Sequence, residues 1–342
     1  MNGRVQPLVC VCLPTYNSAA TVSETLASIT RQTYKNIRIV VVDNASEDGT
    51  LVIVREYAKK DGRISVFVNE KNLGLEGNTN RCIQLAVGEY TAIYHSDDIY
   101  ESSIIEEEVA ALEARPDAAA VFAMARSFGS GGRPCRDYRL PLTLPKGEVY
   151  TFRDVFKAML QYGNFLFCPT AMVRTDVYKN YVREWDYAKY ISAADGDAWL
   201  RILKRYPVCL IDKPLLNYRL SVASFSYQLA RKKTGRHDMF KLFDDYIQGY
   251  ARDLIDGKDL INYAFLRLQD DVNRAFNLFV LGDFPGAREL LAGSFEAGNI
   301  YNSLFSMGRL KIILSGYAVY VLSFIKLPRS TREYLMSARY KG

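Results

Sequence analysis

Four short stretches hold side chains that could do chemistry. His95-Ser96-Asp97-Asp98 sets two adjacent carboxylates beside an imidazole. Adjacent carboxylates suit Mg2+ or Mn2+, which take few protein ligands and complete their shells with water and phosphate oxygens. Such an ion neutralises charge growing on a departing diphosphate. Asp43 leads into Asn44, Ser46, Asp48, Gly49 and Thr50, and Pro14-Thr15-Tyr16-Asn17 closes the first apolar run. Far downstream, Ala194-Asp195-Gly196-Asp197 opens the segment DAWLRILKR. Each has a bland reading by itself: a turn or cap for Asp43, a solvated loop for Asp97-Asp98, a helix N-cap for Asp195. Their order along one chain is what points to a site.

The elements that must position them alternate. VQPLVCVCLP reads as a strand. NSAATVSETLASITRQ reads as a helix, with Val22, Leu26 and Ile29 at helical spacing. NIRIVVVDN is a nearly all-apolar strand, as expected when both faces are covered. SEDGTLVIVREYAKK is a turn and helix, RISVFVN a third strand and GNTNRCIQLAVG a helix. EYTAIYHSDD is a fourth strand ending in acids. Repeated β-α-β units with short links predict a parallel sheet wrapped by helices, whose ligands bind beyond the strands' C-terminal ends. On such a sheet the first three polar stretches converge on one edge.

Residues 101–235 read as mixed. A helix covers 102–114, AAAVFAMAR is a strand, and 129–146, rich in Gly, Pro and Arg, is a loop. A helix follows at 151–161, then the short strands TAMVR and PVCLID with the DAWLRILKR helix between them. Residues 236–342 read as wholly helical. There, LINYAFLRLQDDVNRAFNLFVLGDF is one long amphipathic stretch. GDFPGARELLAGSFEAG is like one helix-turn-helix unit of a tetratricopeptide array, without a second copy.

Composition narrows the classes. The 342 residues fit about two domains. At 49% hydrophobic and 24% charged, the chain is neither disordered, nor collagenous, nor a disulfide scaffold. With two histidines, His95 and His237, a multi-histidine metal centre is disfavoured and oxygen ligands are expected. The six cysteines form no C-x-x-C pair and mostly sit in apolar runs, which predicts buried reduced thiols and a reducing compartment. The apolar patch in MNGRVQPLVCVCLPTYN is too short, and too soon broken by proline, for a signal peptide. A cytoplasmic chain is the expectation. Residues 305–342 carry seven basic groups and one acid, which accounts for the whole net charge of +6. The rest is balanced, so nucleic acid is not an expected partner. No glycine-rich loop follows the first strand, which argues against a dinucleotide oxidoreductase.

At this point the sequence resembles the family 2 glycosyltransferases with the GT-A fold. The residues that carry the resemblance are VCLPTYNSAATVSETLASITRQTYKNIRIVVVDNASEDGT, then NLGLEGNTN and VGEYTAIYHSDD, then DGDAWLRIL with PLLNYRL, spanning about residues 7–225. The implied fold is α/β, GT-A: a Rossmann-like, mainly parallel sheet flanked by helices, with an all-helical C-terminal region added. Residues 1–100 would form the nucleotide-sugar-binding half, 101–235 the acceptor half and 236–342 the helical region.

The resemblance implies a nucleoside-diphosphate sugar as donor, UDP-sugar foremost, held by Pro14, Tyr16, Asn17, Asp43, Asn72, Gly74, Asn80, Ser96 and Asp97. A carboxylate at Asp43 can accept the N3–H of uracil, a physical reason for an acid there. Asp97 and Asp98 match the metal-holding motif for Mn2+ or Mg2+. His95 stands where the family usually has an acid, so contact with ribose, contact with the ion and mere packing stay open. Asp195 matches the general base, with Ala194 in place of the usual glutamate. Tyr218 and Arg219 match an acceptor-region motif, Arg219 as a diphosphate or acceptor contact. His237 is a candidate third metal ligand, or a surface histidine beside Arg231-Lys232-Lys233.

The implied reaction is inverting, metal-dependent transfer of a sugar to a hydroxyl of a glycan or lipid-linked glycan in bacterial polysaccharide assembly. The alternative is a non-catalytic nucleotide-sugar-binding or scaffold protein. Ile312 to Ile325 is a chargeless run of 14 residues, short of the ~20 that a spanning helix needs. Flanked by Arg309, Lys311, Lys326 and Arg329, it reads as a helix on a surface. That surface is an anionic inner membrane leaflet, the catalytic domain or another subunit of a homo-oligomer.

Overall fold

The structure is a computed structural model that describes residues 6–129, 132–220, 234–295, 297–304, 306–325 and 327–339. The basic run Arg231-Lys232-Lys233, together with Lys326 and Lys341, lies outside the described residues. The chain divides into two compact units. One holds Met1–Phe156 and Asn164–Leu220, the other Lys157–Gly163 and Ser221–Gly342.

The first unit opens with the expected alternation: β1 (Val9–Thr15), α1 (Val22–Thr30), β2 (Ile37–Asp43), α2 (Thr50–Lys60), β3 (Ile64–Val68), α3 (Gly74–Leu85) and β4 (Tyr90–Ile93). It continues through β5 (Ile99–Tyr100), α4 (Ile104–Ala114), β6 (Ala120–Phe128), β7 (Pro134–Asp137), β8 (Val149–Tyr150) and the first turn of α5 (Phe152–Tyr162), whose remainder falls in the second unit. Then come β9 (Met172–Arg174), α6 (Ala194–Leu203) and β10 (Val208–Arg219). Among the described residues one sheet runs β3-β2-β1-β4-β9-β6-β10-β5, with β7 on β6 and β8 on β10. The first four strands pair in parallel, whereas β9 is antiparallel to both of its neighbours. The sheet is therefore parallel in its first half and mixed in its second.

Burial explains the strand composition. β1 is buried at six of seven positions and β2 likewise, because helices cover both faces. Val22, Leu26 and Ile29 of α1 pack on Val9, Val11 and Leu13, together with Ile39 and Val41. The opposite face of β1 carries Cys10 and Cys12, where the Cys12 thiol donates to the Cys82 carbonyl of α3 at 3.4 Å. All six cysteines are unbridged.

Three expected boundaries move. β4 stops at Ile93, so His95 to Asp98 form a turn between β4 and β5 rather than a strand end. Within the expected loop at 129–146, β7 pairs antiparallel with β6. That edge strand is fully exposed and is tied across by Arg126–Asp137 at 2.6 Å, so no apolar pattern announces it. The strand expected to end at Asp212 continues to Arg219, with irregular register around Pro214. A proline is tolerated in a strand at such a bulge.

The second unit is helical from α7 (Asp238–Gln248) onward: α8 (Gly257–Leu281), α9 (Phe284–Ala292), α10 (Ala297–Ser303), α11 (Met307–Leu322) and α12 (Arg329–Arg339). Gly282, at φ +93, ends α8 in the left-handed conformation, and Asp283 caps α9 by accepting from the Gly286 N–H. Phe265, Leu268, Val272 and Phe279 of α8 form the core with Ala287 and Leu291 of α9 and Ile313 and Val319 of α11.

The turn into β4 depends on Gly88. Its φ is +88, and a Cβ there would lie 2.5 Å from the Leu8 carbonyl oxygen. Gly88→Ala is expected to destabilise the protein by more than about 1 kcal/mol, read as a lower urea midpoint at unchanged slope.

Candidate functional site

Parallel register aligns Thr15 with Asp43, and Asp43 with Val68, at the C-terminal sheet edge. Asp43 is almost fully buried. Its Oδ1 accepts from the Thr15 hydroxyl at 3.1 Å and the Ser46 hydroxyl at 2.7 Å, and its Oδ2 from the Ser46 N–H at 2.9 Å. Asn17 turns left-handed at φ +46 and knits this loop to its neighbour. Its N–H donates to Ser46 Oγ at 3.0 Å, and its Oδ1 accepts from the Glu47 N–H at 2.9 Å. Pro14 is half-buried at the strand end, and Tyr16 is 45% exposed on the braced loop.

Asn72 and Gly74 form one wall of this edge. Asn44 Nδ2 donates to Asn72 Oδ1 at 2.8 Å and to the Gly74 carbonyl at 3.0 Å. Asn69 Nδ2 donates to Asn44 Oδ1 and Asn78 Oδ1, and Asn78 Nδ2 donates to the Val42 carbonyl. Asn69 and Asn78 escaped the sequence reading, although the density of asparagines from Asn69 to Asn80 was a usable signal. Asn80 faces a different task. Its Oδ1 accepts from the Trp185 N–H at 2.9 Å and its Nδ2 donates to the Trp185 carbonyl at 3.4 Å, tying α3 to the segment before α6.

The acidic turn is fixed from several sides. Ser96 Oγ hydrogen-bonds Ser18 Oγ at 2.8 Å, and the Ser96 carbonyl accepts from Thr21. Thr25 donates to the Asp98 carbonyl at 2.7 Å, and the His95 N–H donates to the Tyr100 hydroxyl at 2.7 Å. His95, Asp97 and Asp98 each offer a ligand atom, and these atoms lie within 4.8 Å of one another. Asp98 is fully buried. Its Oδ1 accepts from the Arg219 N–H at 2.8 Å, while Oδ2 has no hydrogen-bond partner among the described residues. His95 Nδ1 is 3.9 Å from that oxygen. Burial, then the charge of Asp97, pushes the Asp98 carboxyl well above the carboxylate range. The crowded surroundings of His95 hold its ring below the ordinary value against the pull of Asp97, which favours the neutral, ligating imidazole. A buried oxygen without a donor, beside a second carboxylate and an imidazole, fits a divalent cation of the Mg2+ or Mn2+ kind.

Arg219 braces this turn. Its Nε donates to the Asp97 carbonyl at 2.8 Å, its guanidinium pairs with Glu24, and it lies over the Phe128 ring. In this structure the Arg219 guanidinium is engaged with the acidic turn and with α1. Tyr218 sits edge-on to Phe167 at 6.2 Å. In the helical unit, His237 caps α7, its Nδ1 accepting from the Met239 N–H at 3.1 Å.

Asp195 occupies the first turn of α6. Burial pushes its carboxyl up to about 6, against the backbone amides of Gly196 and of Asp195 itself, which favour the charge. Asp197 pairs with Arg201 at 2.8 Å, one turn on. Cys168 lies just before the short β9 strand. Its thiol is raised first by burial, then by the charges of Asp195 and Asp98.

A parallel half-sheet with acids beyond its strand ends, joined to a mixed half that delivers another acid from a helix start, is the GT-A arrangement of glycosyltransferases. The family model "Glycosyl transferase family 2" matches residues 10–182. An uncharacterized glycosyltransferase of Methanocaldococcus jannaschii, MJ1057, is 30% identical over 218 residues, covering 63% of this chain and 71% of that one. The Escherichia coli UDP-Glc:alpha-D-GlcNAc-diphosphoundecaprenol beta-1,3-glucosyltransferase WfgD is 34% identical over 102 residues, 30% of this chain and 40% of that protein. Staphylococcus aureus TarS 1–349 in complex with UDP-GlcNAc superposes with a TM-score of 0.54 at 20% identity, covering 98% of this chain and 93% of that one. The chain belongs to glycosyl transferase family 2 and is a glycosyltransferase.

The link from Asn80 to Trp185 is testable by itself. Asn80→Ala leaves both backbone groups of Trp185 without their partner, and a loss of about 1–3 kcal/mol is expected. Unfolding followed by tryptophan fluorescence measures it, and Asn80→Asp, which keeps the acceptor, should lose less.

Proposed function

We propose that the protein moves a sugar, with inversion, from a nucleoside-diphosphate sugar to a hydroxyl of a glycan or lipid-linked glycan, with Asp195 as general base. The observation that carries this reading is the cluster of His95, Asp97 and Asp98, whose ligand atoms lie within 4.8 Å of one another, in a chain of this family. The carboxyl of Asp195, raised to about 6, supports the role of base. The family membership favours this over a non-catalytic scaffold.

In this reading the braced β1 and β2 loops hold the nucleoside. Tyr16 offers an exposed ring and Asp43 a recessed acid beneath the base. Asn17, Asn72 and Gly74 shape the walls through the contacts described above, with Pro14 at the strand end; Asn80 borders the pocket from α3 while holding the segment that leads to α6, and Ser96 with Asp97 faces the ribose. Asp97, Asp98 and His95 are the residues that would hold Mn2+ or Mg2+. Bound there, the ion would neutralise charge on the departing diphosphate. Asp195 takes the proton from the acceptor hydroxyl, whose oxygen attacks the anomeric carbon opposite the leaving group. One displacement inverts the configuration. The UDP-sugar complex of TarS and the UDP-glucose named for WfgD favour a uridine donor. The diphosphoundecaprenol in the name of WfgD favours a lipid-linked acceptor, which would bring the reaction to a membrane surface.

Asp195→Asn is expected to lower turnover by ~10²–10⁴-fold with donor affinity nearly unchanged. Transfer by the wild type should fall as pH drops through about 6, because only the ionised carboxylate accepts a proton. An Asn variant with wild-type turnover would remove the base assignment. Chelation should abolish transfer and Mn2+ should restore it. Arg219→Ala, which frees the acidic turn, should weaken Mn2+ binding by about 10-fold, measured by direct metal titration of the folded variant.

A further inference from the structure

Helix α11 is apolar on two sides. Ile313, Gly316 and Val319 face the core of the helical unit. Gly316 permits close approach there, since a Cβ would lie 2.9 Å from Val272 Cγ2. The opposite side presents Met307, Lys311, Leu314, Ala318 and Val321, and Ile325 continues the series just beyond the helix. The spacing alternates four and three, which is one stripe of an α-helix. Leu314 is 57% exposed, Met307 72% and Phe324 63%, with Tyr317 beside them. Tyr301 and Leu304 on and just after α10 are exposed as well. Nothing among the described residues covers this stripe.

We infer that this face of α11 lies on an anionic lipid surface. A helix apolar on both sides is stable only if both sides are buried. No helix among the described residues is long and apolar enough to cross a membrane. At 16 residues α11 spans about 24 Å, so it rests in the plane of the interface. Charge selects the occupant. From residue 305 to the C-terminus the sequence has seven basic groups against Glu333 alone. Lys311 stands within the stripe, and Arg329 is exposed with Glu333 as its partner. Arg309 and Arg332 turn inward, to Asn262 and to the Val280 carbonyl. Two copies meeting through this face would each bring Lys311 to it, whereas anionic headgroups attract that lysine. Tyr301 and Tyr317 place amphipathic rings at the rim, where the polar–apolar boundary of a bilayer favours them.

This inference stands apart from the transferase reading, because its test needs neither donor nor acceptor. The full chain is co-sedimented with vesicles of phosphatidylcholine alone or of phosphatidylcholine mixed with phosphatidylglycerol, at low and high salt. Binding to the anionic vesicles is expected, with several-fold loss at high salt and little binding to neutral ones. Leu314→Asp with Val321→Asp should reduce binding at least tenfold while circular dichroism and melting stay unchanged, since both side chains point away from the core. Should that pair fail to fold, Lys311→Glu alone is expected to weaken binding about tenfold. Absence of binding by the wild type, or binding indifferent to these substitutions, overturns the proposal. So does self-association without vesicle binding that the aspartates abolish, which would assign the face to a second copy.

Discussion

The site rests on the cost of holding carboxyl groups away from water. An ionised carboxylate in a poorly hydrated place must find donors, find a cation or take up a proton. Asp43, Asp98 and Asp195 answer this demand differently. Asp43 has three donors around its two oxygens. The Asp98 carboxyl accepts one hydrogen bond, from the Arg219 backbone N–H, and its other oxygen is buried without a hydrogen-bond partner among the described residues. Asp195 has the amides of a helix start, which only partly offset its burial. One acid is thereby hydrogen-bonded at both oxygens, one is suited to a cation, and one is raised by burial to about 6.

Bracing of the loops follows from the same demand. Groups that must act together on a sugar tolerate little slack. The acidic turn is held by α1 through Thr21 and Thr25, by the β1 loop through Ser18 and by β10 through Arg219. The Tyr94 and Tyr100 rings, stacked at 3.8 Å, underlie it, and the Tyr100 hydroxyl receives the His95 N–H. Across the site, Asn80 fixes the stretch from Trp185 toward α6. Most of these braces are neutral hydrogen bonds to backbone, which hold geometry without adding charge to a site already rich in acid.

The helical unit solves a different problem. Its α8 core takes one side of α11, and the glycine at 316 lets the two helices approach closely. That packing accounts for half of the chargeless run and leaves the outward stripe as apolar surface. A soluble helix would normally carry polar residues there.

The sequence by itself determined the alternation of strands and helices over the first hundred residues, because apolar runs and helical spacing are local signals. It determined the order of Asp43, Asp97-Asp98 and Asp195, and so the family. Tertiary structure alone decided which partners these acids have. Arg219 reaches Asp97 and Glu24 across long separations, and Asn80 reaches Trp185, through contacts that leave no periodic trace. The same holds for β7, whose exposed residues are paired through Arg126 and Asp137 rather than through a buried face. Patterns of burial are written along the chain, whereas hydrogen bonds between distant segments exist only once the fold has brought them within reach.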